Sequence, residues 1–249
     1  MWRFPEDNTE PVITAEGHIH SSHSETVMKL PETAILFFLS KSADYLCKKY
    51  HAAELPVKLP RFLNRCPVWV IDDQICILNG GSGAPQACDT VETLAALGVK
   101  NIIAVGMFGA FDQRITAGEI IVPDKAFVEE GTSLHYYESI DYSSPDSSMS
   151  ASCQSMLKIK SYPIVSTDAV YRQTFYKERM WREKGAVGVD METSAVYSVS
   201  RYLGLKSVAI LMASDLHPSN PKETKWEWKM TEDNRFEIAE KSLFIAKHL

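Results

Sequence analysis

The segment GVDMETSA, residues 188–195, is the most informative stretch of the sequence for both the fold and the site. An apolar run ends in this segment, an amphipathic stretch follows it, and the acids Asp190 and Glu192 lie at the junction. A second apolar run, residues 208–213, leads in the same way to Asp215. In α/β sheets, ligands bind just outside the carboxyl ends of the strands. We therefore predict that these acids share one ligand site, where they suit sugar hydroxyls and proton donation to a leaving group.

Strand-like and helix-like stretches alternate along the rest of the chain. Apolar runs predict strands over residues 34–39, 68–71, 75–78, 101–105, 119–122, 162–165 and 206–213. Amphipathic stretches predict helices over residues 42–50, 85–97, 171–184 and 193–203, and a last helix capped by Thr231. Polar composition predicts an irregular segment over residues 1–30 and a surface excursion over residues 138–152.

No linker, repeat or change of composition divides these elements. A chain of 249 residues with 45% apolar side chains can bury a sizeable core. We therefore predict a single α/β domain over residues 1–249, in which helices flank a central, mixed, largely parallel sheet.

Composition and charge exclude several classes of partner. The net charge is -6, with acids and bases mixed along the chain, whereas a nucleic-acid-binding protein needs a basic face. Apolar stretches fall short of the roughly 20 residues of a membrane span, and the beginning of the sequence lacks the features of a secretory signal. The five cysteines show no Cys-x-x-Cys spacing, which is typical of free thiols in a cytosolic protein. We expect a cytoplasmic protein that binds neither nucleic acid nor membrane.

Three histidines, His18, His20 and His23, lie close together in the segment GHIHSSH. Histidines at this density can bind a metal ion, but no cysteine or carboxylate completes a ligand set here. We therefore predict exposed loop histidines and no metal site.

Two glycine turns follow predicted strands and are candidate ligand contacts. GGSG, residues 80–83, precedes a helix, so the backbone N–H groups around Gly83 could hold an anion. GMFG, residues 106–109, could let the backbone approach a ligand at Gly106 and Gly109. Close packing of strand and helix would also require glycine at these places, so both interpretations stay open.

Four segments together resemble the nucleoside phosphorylase superfamily. The segment GVDMETSA resembles that family's ribose-binding GVEMExxA, and NIIAVGMFG at residues 101–109 resembles its glycine-rich strand and turn. GEIIVP at residues 118–123 matches its GDIVIP segment, and EGTSLHY at residues 130–136 resembles its EGTSxHY loop. The segments keep the family's order, so the chain is identified as a member of this superfamily.

The resemblance implies a single α/β domain that cleaves the bond between a base and C1′ of ribose, without a cofactor and as a homo-oligomer. By their motif positions, Glu192 would hold the ribose hydroxyls, Met191 would pack beneath the sugar, and Asp190 belongs to the same substrate-binding segment. Asp215 matches the acid that purine-cleaving members use on the leaving base. Because a base departs poorly as an anion, protonation at its ring lowers the barrier. The resemblance therefore favours a purine nucleoside as substrate.

The same resemblance assigns further substrate contacts. Val170 and Tyr171 fall where the family places base- and sugar-contacting aromatic residues, although only Tyr171 is aromatic. Gly106, Phe108 and Gly109 correspond to the family's glycine-rich turn beside the ligand.

The family's usual phosphate ligands are missing. Phosphorylases carry a GDPxR loop after the first strand, where this chain reads FLSKS at residues 38–42, and Ala104 replaces a second arginine. A phosphate dianion normally requires arginine side chains or backbone N–H groups. The remaining candidates are Lys41, Arg172 and the backbone at Gly83 and Gly106; an arginine such as Arg172 could equally be a solvated residue at a helix start.

Three hypotheses stay open from the sequence. The first is an atypical phosphorylase with phosphate as co-substrate. The second is a nucleosidase that uses water, although the glutamate that activates water in such members has no clear match. The third is a protein that binds a nucleoside or base without cleaving it.

Overall fold

The computed structural model describes residues 7, 9–22, 24, 28–220, 222 and 226–249. His23 of the histidine cluster and the first six residues, on which the expectation about a signal rests, lie outside the described residues.

Strands make up the centre of the molecule. Within the described residues they are β1 (Thr33–Phe37), β2 (Ala53–Glu54), β3 (Val68–Ile71), β4 (Ile75–Asn79), β5 (Asn101–Ala110), β6 (Ile120–Val122), β7 (Ala126–Glu129), β8 (Tyr142–Ser143), β9 (Lys160–Ser161), β10 (Ile164–Thr167), β11 (Gly188–Asp190), β12 (Lys206–Leu216) and β13 (Glu227–Trp228).

Helices surround these strands. Within the same residues they are α1 (Ala15–Ile19), α2 (Ser42–Lys49), α3 (Gly83–Ala96), α4 (Ser147–Leu157), α5 (Phe175–Glu183), α6 (Thr193–Tyr202) and α7 (Glu232–Ala246). Two short 3₁₀ helices lie at Thr132–His135 and Val170–Arg172.

The sheet is mixed, with a parallel centre. Strands β4, β1, β5 and β12 lie side by side in parallel. Beyond the end of β1, β5 continues and pairs with β11 in the antiparallel sense, through Gly109 and Ala110. Strands β11, β10 and β7 then continue the sheet in parallel. The predicted class, a single α/β domain with a mixed sheet between helices, is confirmed, and β5 joins its two parallel halves.

Alternation along β1 shows how the core is divided. Ala34 and Leu36 point to one face of the sheet, Ile35 and Phe37 point to the other, and all four side chains are buried. Helices α3 and α6 pack together on the first face, and α2 and α7 pack together on the second. A strand buried on both faces reads as a continuous apolar run, which is why the sequence reveals the central strands so clearly.

Several predicted elements need correction. The excursion expected over residues 138–152 contains most of helix α4, which the side chain of Asp146 caps. The helix expected over residues 171–184 begins at Phe175, because Val170–Arg172 forms a separate 3₁₀ turn. Serine-rich composition misled the first prediction, since serine favours turns but is also tolerated in a packed helix.

The amino-terminal segment also differs from its prediction. Within the region predicted to be irregular, Ala15–Ile19 forms helix α1, capped by the hydroxyl of Thr14. His18 in this helix is buried and lies with its ring 5.2 Å from that of Phe62, so the prediction of an exposed loop is wrong for this residue. His20 is exposed.

The cap predicted for the last helix is confirmed. The hydroxyl of Thr231 accepts a hydrogen bond from the backbone N–H of Asn234, whose side chain returns a bond to the N–H of Thr231. This capping box satisfies two backbone donors at the beginning of α7. Among the described residues, no helix combines the length and the apolar character that crossing a bilayer requires.

Candidate active site

A cavity of about 640 Å³ lies where β5 passes from its parallel neighbours to β11. This volume is typical of a site for a small ligand. Its wall combines acids with aromatic rings. The acids are Glu178, Asp190, Glu192 and Asp215. The rings are Phe38, Phe108, Tyr171, Phe175, Trp226 and Trp228.

Asp190 is the last residue of β11, and its side chain is buried. Its carboxylate accepts hydrogen bonds from the hydroxyl of Ser166 at 2.5 Å and from the backbone N–H of Thr193 at 3.0 Å. Thr193 begins helix α6, so Asp190 satisfies a backbone donor of the first turn and places its charge at the positive end of the helix dipole. Burial raises the pKa of Asp190 to about 6. Both oxygens are engaged within the protein, and direct contact of Asp190 with a substrate stays a prediction.

Glu192 directly precedes helix α6 and lines the cavity. Its carboxylate Oε1 accepts a hydrogen bond from the backbone N–H of Gly83 at 2.7 Å. Burial and the nearby charge of Asp190 raise the pKa of Glu192 to about 7. Two carboxylates close together in a dry site resist simultaneous ionisation. Glu192 therefore takes up a proton more readily than an exposed glutamate does.

Asp215 lies within strand β12, which continues to Leu216 instead of ending at the predicted Ala213. The register with β5 shifts between Ala213 and Asp215, so that Ser214 is an extra residue in the ladder. Such a bulge re-aims the side chains next to it. From the sequence, Asp215 was predicted to follow the end of a strand. In the structure it lies inside the strand, and the bulge at Ser214 sets the direction of its side chain.

Three donors surround the Asp215 carboxylate. Oδ1 accepts from the Ser214 hydroxyl at 2.5 Å, and Oδ2 accepts from His217 Nε2 at 3.0 Å and from the indole N–H of Trp226 at 2.5 Å. Burial alone would raise the pKa of Asp215, but the hydrogen bonds from His217, Ser214 and Trp226 together lower it. Asp215 is therefore an ionised acceptor at neutral pH.

His217 joins Asp215 to a second buried acid. Its Nδ1 lies 2.7 Å from Oε1 of Glu178, which belongs to helix α5. Arg182, one turn further along α5, lies 3.3 Å from the other oxygen of Glu178. Basic and acidic side chains thus alternate along a chain of contacts that ends at the cavity, in the order Arg182, Glu178, His217 and Asp215. The imidazole of His217 packs directly against Gly109, and any larger residue would clash, because a Cβ atom at that position would lie only 2.4 Å from Nε2 of His217.

Most of the predicted substrate contacts lie in the cavity wall. Met191, Phe108 and Gly109 line it, as do Glu192 and Asp215. Val170 and Tyr171 also line it, but at the rim, and Tyr171 is 94% exposed.

Three predicted contacts lie outside the wall. Gly106 is enclosed within β5, where a Cβ would contact Leu211 at 3.2 Å. Arg172 is exposed in the 3₁₀ turn and does not line the cavity. Gly83 donates its N–H to the carboxylate of Glu192, which lines the cavity, and does not itself line it.

The glycine turn at residues 80–83 has its N–H groups already satisfied. Gly80 donates to the carbonyl of Phe37 at 2.9 Å, and Gly81 donates to the side chain of Asn79 at 2.8 Å. Ser82 donates to the side chain of Gln86 at 2.7 Å, and the N–H of Gly83 binds Glu192. The turn therefore presents no free backbone donor to an anion.

The proposed replacements for the phosphate ligands also fail to meet at the cavity. Lys41 points away and pairs with Glu232 on α7 at 2.8 Å. Phe38, in the segment FLSKS, packs its ring against Gly80, where a Cβ would lie 2.4 Å away. Among the described residues of the wall, His217 is the one basic side chain.

Sequence reasoning missed His217, Glu178 and Trp226. His217 could have been found, because side chains two residues apart in an extended strand point to the same side, and it follows Asp215 by two. Glu178 and Trp226 gave no comparable signal, since each reaches the cavity from a different part of the chain.

Comparison with known proteins agrees with the motifs. The model of the phosphorylase superfamily matches residues 34–243. A guanosine phosphorylase of Halorubrum lacusprofundi is 32% identical over 142 residues, which are 55% of this chain and 58% of that protein. The chain thus matches less than two thirds of that relative's length. A DeoD-type purine nucleoside phosphorylase of Clostridium novyi is 27% identical over 174 residues, 67% of this chain and 74% of that protein.

A solved structure supports the fold. The uridine phosphorylase of Vibrio fischeri superposes with a TM-score of 0.72 at 21% identity, covering 95% of this chain and 98% of that one. The resemblance inferred from the four sequence segments is confirmed by these matches. Because the family model covers well over half of the sequence, the chain belongs to the phosphorylase superfamily.

Proposed function

We propose that the protein cleaves the N-glycosidic bond of a nucleoside, with a purine as the preferred base. The observation that carries this proposal is the meeting of Glu192 and Asp215 in one cavity, with Met191 in the same wall. Met191 and Glu192 lie in the segment that resembles the family's ribose-binding motif, and Asp215 follows the next apolar run of the chain. The two named relatives, a guanosine phosphorylase and a purine nucleoside phosphorylase, support the choice of substrate class.

The charge of the cavity suits the chemistry of this bond. Cleavage proceeds through a sugar with oxocarbenium character, so positive charge develops at C1′. Four acids and one basic residue line the described wall, which favours that charge. Glu192 would accept hydrogen bonds from the ribose hydroxyls, and these bonds strengthen as the sugar becomes positive. Met191 would pack against the sugar.

The departing base would lie next to Asp215. As the C1′–N bond breaks, its electron pair moves into the base, and a proton or hydrogen bond at a ring nitrogen stabilises it. The ring of Phe108 and the indole of Trp226 line the same cavity and offer apolar surface to a planar base. No cofactor is needed for these steps, because each one is a proton transfer or a charge interaction.

Phosphate is the first candidate for the acceptor of the sugar. The names of both relatives describe phosphorylases, and the family match extends over the whole ligand cavity. In this reaction an oxygen of phosphate attacks C1′ and ribose 1-phosphate is released. Phosphorolysis would then need a cation in addition to His217, the one basic side chain among the described residues of the wall.

Water is the second candidate, and a specific observation favours it. The four N–H groups of residues 80–83 bind protein acceptors, and the ring of Phe38 packs against Gly80. A phosphate dianion would enter a wall whose acids outnumber its single basic residue. Desolvating a dianion there without charged partners is costly, whereas a neutral water molecule carries no such cost.

The acceptor can be determined by one assay. The purified protein is incubated with inosine, guanosine, adenosine, methylthioadenosine and uridine, with and without phosphate, and free base and ribose 1-phosphate are quantified. Phosphorolysis predicts base release that depends on phosphate and yields ribose 1-phosphate. Hydrolysis predicts equal release without phosphate and yields free ribose. Binding of purines without any release would contradict cleavage, and faster release from uridine than from any purine nucleoside would contradict the base preference.

We also propose that the protein is a cytoplasmic homo-oligomer. Apolar side chains at the cavity rim are exposed, including Tyr171, Phe175, Trp226 and Trp228. Exposed apolar patches of this kind mark interaction sites. All five cysteines lie in the described part of the chain as free thiols, which suits a reducing compartment. Light scattering should give a mass of at least twice the 28.0 kDa of one chain. A monomer at micromolar concentration, or recovery in a secreted fraction, would contradict this proposal.

A further inference from the structure

We propose that His217 holds the proton that the leaving base takes up, and that Asp215 passes this proton from the imidazolium to the base. This inference rests on the proposed function, which places the base next to Asp215. His217 is then a positioning and proton-holding residue that acts through Asp215.

The geometry of His217 selects its charged form. Nε2 lies 3.0 Å from a carboxylate oxygen of Asp215, and Nδ1 lies 2.7 Å from a carboxylate oxygen of Glu178. A neutral imidazole has one N–H group, so one of its nitrogens would turn a lone pair towards a carboxylate. An imidazolium donates from both nitrogens and satisfies both carboxylates.

The surroundings of the ring stabilise the same form. Burial alone would lower the pKa of His217, but the hydrogen bonds to Asp215 and Glu178 raise it to about 9. Arg182 lies 3.3 Å from Glu178, and Asp190 and Glu192 are the other acids in the wall of the same cavity. The strand β5 packs against the ring through Gly109, which carries no charge. His217 is therefore protonated at neutral pH.

Asp215 needs such a neighbour if it is to protonate a base. The pKa of Asp215 is lowered, so its resting form is a carboxylate that has no proton to give. Its three donors are Ser214, Trp226 and His217. A hydroxyl and an indole N–H are far weaker acids than an imidazolium. His217 is thus the donor that can deliver a proton to Asp215.

The step is balanced as follows. The Nε2–H bond of His217 breaks and an O–H bond forms at Asp215, then this O–H bond breaks as an N–H bond forms on the base. The electron pair of the C1′–N bond moves into the base ring at the same time. The products are a neutral base, a neutral imidazole and the Asp215 carboxylate. Solvent then returns a proton to His217.

The first test is the substitution His217→Gln, which keeps a hydrogen-bond donor of similar size. For the wild type, kcat should fall on the alkaline side as His217, whose pKa is raised to about 9, loses its proton. Because general acids contribute about 10²–10⁴-fold, we expect His217→Gln to lower kcat about a hundredfold, with KM within about twofold. The alkaline decline should disappear in this variant, since glutamine does not titrate. The measurement is kcat and KM across pH 6–10.

The second test, Glu178→Gln, separates proton holding from structural support. Removing the negative charge beside Nδ1 lowers the pKa of His217. The alkaline decline of kcat should therefore lie about one pH unit lower in Glu178→Gln than in the wild type. A purely structural role of the pair would scale the rate equally at every pH and leave the decline in place.

The matched control is His248→Gln. His248 lies near the carboxyl end of the chain, outside the cavity, and its Nδ1–H donates to the carbonyl oxygen of Phe244 at 2.7 Å. This variant should keep the wild-type rate and pH profile. Wild-type kcat together with an unchanged alkaline decline in His217→Gln would overturn the role of His217.

An imidazole NMR titration gives a readout that does not depend on turnover. One of the seven histidines should titrate near pH 9, and its signal should be missing from His217→Gln. A His217 signal that titrates below pH 7 would overturn the inference even if the enzyme is active. A wild type that releases no base from any nucleoside would overturn the proposed function, and the inference with it. An active wild type whose His217→Gln variant keeps its rate would overturn the inference alone.

Discussion

Asp215→Asn should lower kcat for a purine nucleoside by about 10²–10⁴-fold, the range that a positioned proton donor contributes. The amide has nearly the same shape as the carboxylate, so it can still contact Ser214 and Trp226. It cannot take up a proton from His217, and it also removes one of the two anions that hold the imidazolium. The measurement is base release by the purified variant, with KM determined for the same nucleoside.

The control for this substitution is Asp233→Asn. Asp233 lies in the exposed first turn of α7, away from the cavity, and should keep the wild-type rate. A thermal melt of both variants separates lost chemistry from lost folding. If Asp215→Asn retains kcat within about threefold of the wild type, the leaving base does not depend on Asp215.

Glu192→Gln should raise KM and lower kcat, each by about tenfold. A charge-assisted hydrogen bond contributes about 1.5–3 kcal/mol, and the contact to ribose strengthens as C1′ becomes positive. The amide oxygen of glutamine can still accept the N–H of Gly83, so the turn at residues 80–83 should keep its shape. The losses should therefore appear in the kinetics and not in the melting temperature.

The pH profile provides a second measurement on Glu192. Because burial and the charge of Asp190 raise the pKa of Glu192 to about 7, its carboxylate form is lost as pH falls through that value. Wild-type kcat/KM should therefore decline on the acid side of neutrality, and this decline should be weaker in Glu192→Gln. The exposed Glu237→Gln serves as control, since Glu237 pairs with Lys241 on the surface of α7. Unchanged KM and kcat in Glu192→Gln would show that another group holds the ribose.

The two titrations together describe the expected working range. Glu192 must be ionised to hold the sugar, and His217 must be protonated to supply the base. A bell-shaped pH profile of kcat/KM, with its maximum between about pH 7 and about pH 9, follows from these opposite requirements. The acid side belongs to Asp190 and Glu192 together, because their charges interact, so substitution of either residue can move it.

Much of the fold could be predicted from the sequence because its signals are local. The central strands are buried on both faces, so β1 and the first half of β5 appear as unbroken apolar runs. The ends of β5 and β12 could not be predicted, because Gly106 and the bulge at Ser214 lack the composition of a strand interior. Their pairing with neighbours, and not their composition, keeps them extended.

The candidate site was predictable in part for the same reason. Glu192, Met191 and Asp215 lie in segments whose motifs are continuous in the chain, and all three line the cavity. The phosphate candidates Lys41 and Arg172 could not be judged from sequence. A lysine near a strand end can point either way, and Lys41 pairs with Glu232, a residue 191 positions further along the chain.

Fold class, family and the two acidic segments can be predicted from local sequence patterns, because each depends on residues that are neighbours in the chain. The pKa shifts of those acids depend instead on burial and on contacts that only the folded chain makes. Gly83 reaches Glu192 across 109 positions, and Glu178 reaches His217 across 39. Charge interactions depend on distance through space and on burial, which no local pattern records. In another arrangement the same side chains would have different pKa values. The chemistry of this site therefore depends on the folded structure.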